Sequence, residues 1–262
     1  MLTSDHMNLK LRELTILSYP FRKIAVVGFS SIALLTFAIS AQASNLVANG
    51  GFESTTTGTG QFDFQTTATG WTSAGYNFIF SSGSADTTGV TGQFGNLMLW
   101  GPNNGSANGL PASSPDGGNF VGADGAFQVG AITQTVNGLT AGDSYTLSFF
   151  WAAAQQSGFT GATTEQWKVT LGGQEQDTAI LPNANHGFSG WQSQTFTYTA
   201  NASSELLSFL AVGTPDGVPP FALLDGVSLN ADSAPEPGAL MLMLGGLMSG
   251  LGLLRLKRRV NK

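Results

Sequence analysis

In the stretch Ser144-Tyr145-Thr146-Leu147-Ser148-Phe149-Phe150-Trp151, every second side chain is large and apolar. Tyr145, Leu147, Phe149 and Trp151 share one parity, and Thr146 and Ser148 hold the other. A side-chain period of two marks a strand with one buried face and does not suit a helix. The pattern returns at Trp167, Val169 and Leu171, closed by Gly172-Gly173, and again at Phe196 and Tyr198 between threonines. Glu205–Gly213 is apolar on both faces, as a central strand would be. Phe221, Leu223, Val227 and Leu229 share one parity near the end of the body. Turn clusters punctuate these runs at Asn137-Gly138, Ala141-Gly142-Asp143 and Asp216-Gly217. Short strands with such punctuation, and no helical period between residues 44 and 232, predict one all-β domain, a β-sandwich. Two Gly/Thr/Ser/Asn-rich stretches, 54–70 and 101–118, read as long surface loops.

Charge is segregated. Of ten Lys and Arg residues only Lys168 lies between residues 44 and 234, against thirteen Asp and Glu, a balance of −12. Such a body repels phosphate backbones, which argues against nucleic acid as a partner. Its carboxylates are hard oxygen donors of the kind calcium takes. Without cysteine, disulfides and thiolate sites are excluded.

Both ends read as processing or membrane segments. Arg22 and Lys23, the apolar run Ile24–Ile39 and Ala41-Gln42-Ala43 have the order of a secretory signal peptide, giving a leader over 1–43. Either Met1 or Met7 serves as the start. Residues 238–254 carry no charge, and about 25 Å of helix at about 1.5 Å per residue just crosses a thin bilayer. Arg255, Lys257, Arg258 and Arg259 follow, placing the C-terminal tail, 255–262, in the cytoplasm and the body outside the inner membrane.

Ala234-Pro235-Glu236-Pro237, the short Gly/Leu/Met helix and the basic end resemble the PEP-CTERM sorting signal of Gram-negative bacteria. That resemblance, over residues 234–261 of the segment 233–262, implies exosortase as a partner, transient anchoring in the inner membrane, and delivery to the envelope or exterior. It also implies company with exopolysaccharide. Pro235, Glu236 and Pro237 would be the recognition residues, held extended by the two prolines.

Three segments of the body resemble the galactose-binding-like jelly roll of carbohydrate-binding modules. They are the opening around Asn49-Gly50-Gly51-Phe52-Glu53 with Gly70-Trp71, the middle Ile132–Ala153, and the closing Phe221–Leu229. The resemblance implies a jelly-roll sandwich that binds sugar or serves as a spacer. It also implies a structural calcium tying the N-terminal segment to the last strand, with Glu53 and Asp225 as side-chain ligands.

Asp225 has the parity of Phe221, Leu223, Val227 and Leu229 and is expected to face inward. An unpaired buried carboxylate costs several kcal/mol, so it needs a metal, or hydration and backbone donors at a bulge made by Gly226. Of five tryptophans, Trp151 and Trp167 follow strand parity and belong to the core. Trp71, Trp100 and Trp191 adjoin glycine-rich loops and are candidates to stack on a sugar, with packing as the alternative. His186 is the body's one histidine, without a nucleophile elbow; Glu165 and Glu175 are the carboxylates to consider as a glycosidase pair. The expectation is thus a non-enzymatic, exported matrix protein that associates with polysaccharide. A ligand-free surface spacer and a glycan-active hydrolase are the alternatives.

Overall fold

Fourteen strands and no helix make up the described residues, 44–111 and 113–232, of this computed structural model. The expected signal peptide (1–43) lies outside the described residues, as does the sorting segment with Pro235, Glu236, Pro237, Arg255, Lys257, Arg258 and Arg259. In chain order the strands are β1 (Gly60–Gln61), β2 (Thr72–Ser73), β3 (Asn77–Phe80), β4 (Val90–Gly92), β5 (Gly95–Leu97), β6 (Phe120–Asp124) and β7 (Ile132–Asn137). They continue with β8 (Ser144–Gln155), β9 (Thr163–Leu171), β10 (Gln174–Asp177), β11 (Leu181–Asn183), β12 (Gln192–Thr199), β13 (Ser204–Thr214) and β14 (Pro220–Ala231).

One sheet runs β1-β3-β6-β14-β8-β12 and the other β10-β9-β13-β7-β2, with β11 also beside β9. From β6 onward the chain alternates between sheets, leaving only β9, β10 and β11 together in one of them. The inner orders β6-β14-β8-β12 and β7-β13-β9-β10 are those of a jelly roll. Between the sheets lies a core containing Leu147, Phe149, Trp151, Trp167, Val169, Tyr198 and Phe209. Phe209 stands edge-on to both Phe149 and Trp167, and the Trp167 indole donates to the Leu223 carbonyl at 3.0 Å. The parity that marked Trp151 and Trp167 as core therefore holds.

A second core was not visible as alternation. Phe78 and Phe80 of β3, Phe120 of β6, Ala152 and Ala154 of β8, and Phe221 and Leu223 of β14 are buried in a separate cluster. The opposite-parity neighbours Ile79, Val121, Trp151, Ala222 and Leu224 face the other sheet. Around β3, β6, the end of β8 and the start of β14 the first sheet is thus buried on both faces, roofed by Val90 and Leu97 of the β4–β5 hairpin and by Leu99 and Leu110, while β12 exposes its outer face. The stretch 101–118, read as surface, contributes buried Leu110 and Ser114, and 54–70 contributes β1 and buried Phe62.

One expectation about parity is corrected. Phe221 and Leu223 face the outer core, whereas Val227 and Leu229 face the inner one. A register shift against β8 between Asp225 and Ser228, with Gly226 at φ 60°, inserts a bulge that exchanges the two faces. Asp225 consequently sits on the outer-core side, at the bulge itself.

Candidate functional site

The N-terminal segment is laid along the bulged part of β14. Leu46 N donates to Leu229 O at 2.9 Å, and Val227 N donates to Gly50 O at 3.0 Å. Trp71 fastens this segment from the other side, its indole donating to Ala48 O (3.1 Å) and Asn49 O (3.0 Å). Trp71 is 3% exposed and packed at a tilt between Phe52 and Phe209, so it has no face for a ligand. The indole turns inward although its neighbours Gly70 and Thr72 are exposed, which corrects the reading of Trp71 as a sugar platform.

Three carboxylates meet where this segment passes the loop before β6. A Cβ placed on Gly51 would lie 2.9 Å from Asp116 Oδ2, 3.8 Å from Asp225 Oδ1 and 3.9 Å from Glu53 Cγ. Asn119 N donates to Glu53 Oε1 at 2.6 Å, and the Ser114 hydroxyl donates to Asp225 Oδ2. Asp225 is fully buried and its Oδ1 has no hydrogen-bond partner. Burial pushes its carboxyl up to about 7; the Ser114 and Gly226 hydrogen bonds pull against this, and Asp116 and Glu53 add like charge. Among the described residues no group of three or more His, Cys, Asp or Glu side chains is placed to hold a metal ion as it stands. What is present is three carboxylates converging on Gly51, with one Asp225 oxygen left without a partner; oxygen donors of this kind are the type a hard cation takes. Asp116 was missed because a loop acid in Ser-Pro-Asp-Gly-Gly looks like ordinary turn chemistry.

The loops beyond the far end of β6 enclose a cavity of about 270 Å³. Its lining includes Tyr76, Phe94, Phe127, Phe159, Asp124 and Asp216. Phe94, Phe127 and Phe159 are unusually exposed for phenylalanine, Phe94 at 65%. Tyr76, Phe94 and Phe127 form a mutual cluster with ring centroids 5.3–5.8 Å apart. Asp124 ends β6, and its Oδ1 accepts from Ala126 N (2.9 Å) and Phe127 N (3.0 Å), fixing the turn that carries the Phe127 ring. Its Oδ2 is buried without a partner. Burial pushes Asp124 up to about 6, the Ala126 and Phe127 amides oppose it, and Asp216 adds to it. None of these residues was singled out by sequence. The available signal was phenylalanine beside glycine in loops, at Phe94-Gly95 and Gly158-Phe159.

Trp100 and Trp191 take other places. The Trp100 ring stacks on His186 at 3.9 Å, and its indole donates to Phe159 O at 2.9 Å, so Trp100 holds the cavity's Phe159 loop. Trp191 packs edge-on to Phe120 and Phe188 at the margin of the outer core. The His186 ring, with Nε2 buried and unpartnered, makes no Ser/His/Asp arrangement. Glu165 is buried on β9 and accepts from Thr163 Oγ1. Glu175 pairs with Lys168 at 3.1 Å on the neighbouring strand. Glu175 lies opposite Thr170, five residues along β9 from Glu165, or about 17 Å at about 3.4 Å per residue. That exceeds the reach of a glycosidase pair.

No family model matches the chain. Over 211 residues it is 28% identical to Halomucin of Haloquadratum walsbyi (strain DSM 16790 / HBSQ001), a match covering 80% of this chain and 2% of Halomucin. The chain thus spans only a small part of the curated relative it matches. It is also similar to the structure of TmCBM61 in complex with beta-1,4-galactotriose, at 17% identity and TM-score 0.42, covering 72% of this chain and 100% of that one. A third likeness is to the CBM22-1 xylan-binding domain of Paenibacillus barcinonensis Xyn10C, at 14% identity and TM-score 0.37, covering 74% and 97%. The jelly-roll order of the strands is independent of these likenesses.

Proposed function

We propose that the body is a non-enzymatic glycan-binding sandwich, exported through its leader and sorted to the envelope or matrix by exosortase acting on Pro235, Glu236 and Pro237. The observation that carries the binding reading is the cavity lined by Tyr76, Phe94, Phe127 and Phe159 together with Asp124 and Asp216. Sugars offer apolar C–H faces that stack on such rings and hydroxyls that donate to carboxylates. Free phenylalanine surface is costly to display, and a bound sugar would cover it. A calcium ion held by Glu53, Asp116 and Asp225 is proposed as structural, supported by the orphaned Asp225 Oδ1 and the Gly51 cradle. Such an ion would offset two of the three converging charges and tie the N-terminal segment to β14.

Calorimetric titration of the intact chain with neutral and charged oligosaccharides tests the reading. Binding that weakens about tenfold in the double variant Phe127→Ala/Phe159→Ala is the expected result. Absence of any binding leaves the surface spacer as the better description. Release of reducing ends from a bound glycan turns it into the hydrolase.

A further inference from the structure

We infer that the saccharide taken by the aromatic cavity carries a protonated amine, as a hexosamine unit with a free amino group does. This rests on the reading of that cavity as a glycan site and specifies its ligand class. Asp124 is 1% exposed, and only one of its oxygens is satisfied, by the Ala126 and Phe127 amides. The other, Oδ2, has no partner, although a buried carboxylate oxygen ordinarily has one. Asp216 lines the same cavity and adds a second negative charge. No cation answers them: among the described residues the one Lys or Arg is Lys168, and it is engaged by Glu175 at 3.1 Å and Asp177 at 3.7 Å.

The four rings favour the same ligand. An ammonium within about 6 Å of an aromatic centroid is attracted by the ring quadrupole, more strongly as it loses water. Tyr76, Phe94 and Phe127, turned at steep angles to one another, offer both faces and edges around one space. A neutral sugar would stack on these rings but leave the two carboxylates uncompensated. A uronic acid would add a third negative charge at short range and is excluded on Coulombic grounds. An ammonium on the sugar ring satisfies rings and carboxylates together.

The test titrates the intact chain with three oligosaccharides of equal length, a β-1,4-glucosamine oligomer, its N-acetylated counterpart and a cello-oligomer, at low and moderate salt. The amine form is expected to bind at least tenfold more tightly than the other two, with the advantage shrinking as salt rises. Asp124→Asn and, separately, the exposed Asp216→Asn are each expected to weaken binding of the amine form more than binding of the neutral oligomers, so that the advantage shrinks. Because an acidic body attracts any polycation, Asp143→Asn, the same charge change in the turn between β7 and β8, must leave the advantage intact. If Asp143→Asn lowers it equally, the preference is diffuse electrostatics and the inference falls. Equal affinity for all three oligomers also overturns it while leaving the glycan reading in place. No binding by any oligomer removes that reading and the inference with it.

Discussion

Two acidic sites stand at opposite ends of one five-residue strand. Before β6, Asn119 N holds Glu53 beside Asp116 and Asp225; at its last residue, Asp124 faces the cavity with Asp216. The strand separates them by about 14 Å. Each has a buried carboxylate with one orphaned oxygen, and burial raises both groups above the ordinary carboxylate range. Their surroundings differ. Asp225 is met by further oxygen donors on a closed, rigid stretch of backbone, and Asp124 by four aromatic rings on separate loops. The lesson is that a buried acid signals a missing partner, while its neighbours decide whether that partner is an inorganic ion or an organic ligand.

The largest effect expected is from Gly50→Ala, which attacks the oxygen-lined end alone. A Cβ there would land on the Val227 carbonyl, a backbone group with nowhere to go. The N-terminal segment would have to lift from β14, at about 2–4 kcal/mol and a midpoint drop of ~5–15 °C. Thermal melts that show no change would dissolve the idea of a rigid end.

Next in size is the response to calcium. Millimolar calcium should raise the melting midpoint of the intact chain by ~5 °C or more, reversed by chelator, as expected for an ion bound well above its dissociation constant. Asp225→Asn should abolish the response and Asp116→Asn weaken it, while Asp124→Asn leaves it whole. A response lost instead in Asp124→Asn would reverse the roles of the two ends.

A third buried acid, Glu165, serves as the control with neither a second carboxylate nor a cavity. Burial pushes it up to about 8 from an ordinary 4.5, against hydrogen bonds from Thr163 and Asn183. A folded-state value above the unfolded one means the protonated form is favoured in the fold. Its stabilisation is complete below pH about 4.5 and is lost as pH rises through about 8. The midpoint should therefore fall by ~5 °C or more between pH 5 and 8 from this group. Glu165→Gln should flatten that part of the profile; an unchanged slope assigns it elsewhere.

The smallest stability effect is expected from Phe94→Ala. With its ring 65% exposed, its removal should move the midpoint by less than ~2 °C, yet lower saccharide affinity several-fold. A large loss of stability would make Phe94 part of the packing and shrink the cavity's claim to a ligand.

Strand parity made much of the fold legible. Tyr145 to Trp151, Trp167 to Leu171, and Phe196 with Tyr198 read correctly because a local period of two needs no knowledge of partners. The central position expected for Glu205–Gly213 is found in β13, between β9 and β7, although Leu206 on its outer face is exposed. Reading failed at Val227 and Leu229, where a bulge exchanged faces, and at Trp71, whose flanking glycine allows the N-terminal segment to close over it. The aromatic cavity was illegible because Phe94, Phe127 and Phe159 come from three loops with no common spacing. Asp225 was marked by strand parity as a carboxylate in need of a partner, Glu53 was reached only through a family resemblance, and Asp116 not at all.

By itself the sequence determined that the body is β, that it is acidic with one cation, and that a carboxylate near its end needs a partner. Those properties follow from side-chain alternation and charge count, which act over a few residues or over the whole chain. Tertiary structure alone decided which face Asp225 occupies, that part of the first sheet is buried on both sides, and which rings share a cavity. Each of these depends on hydrogen-bond register and on contacts between distant segments. A one-residue shift in register turns a side chain from one face to the other while leaving the composition untouched.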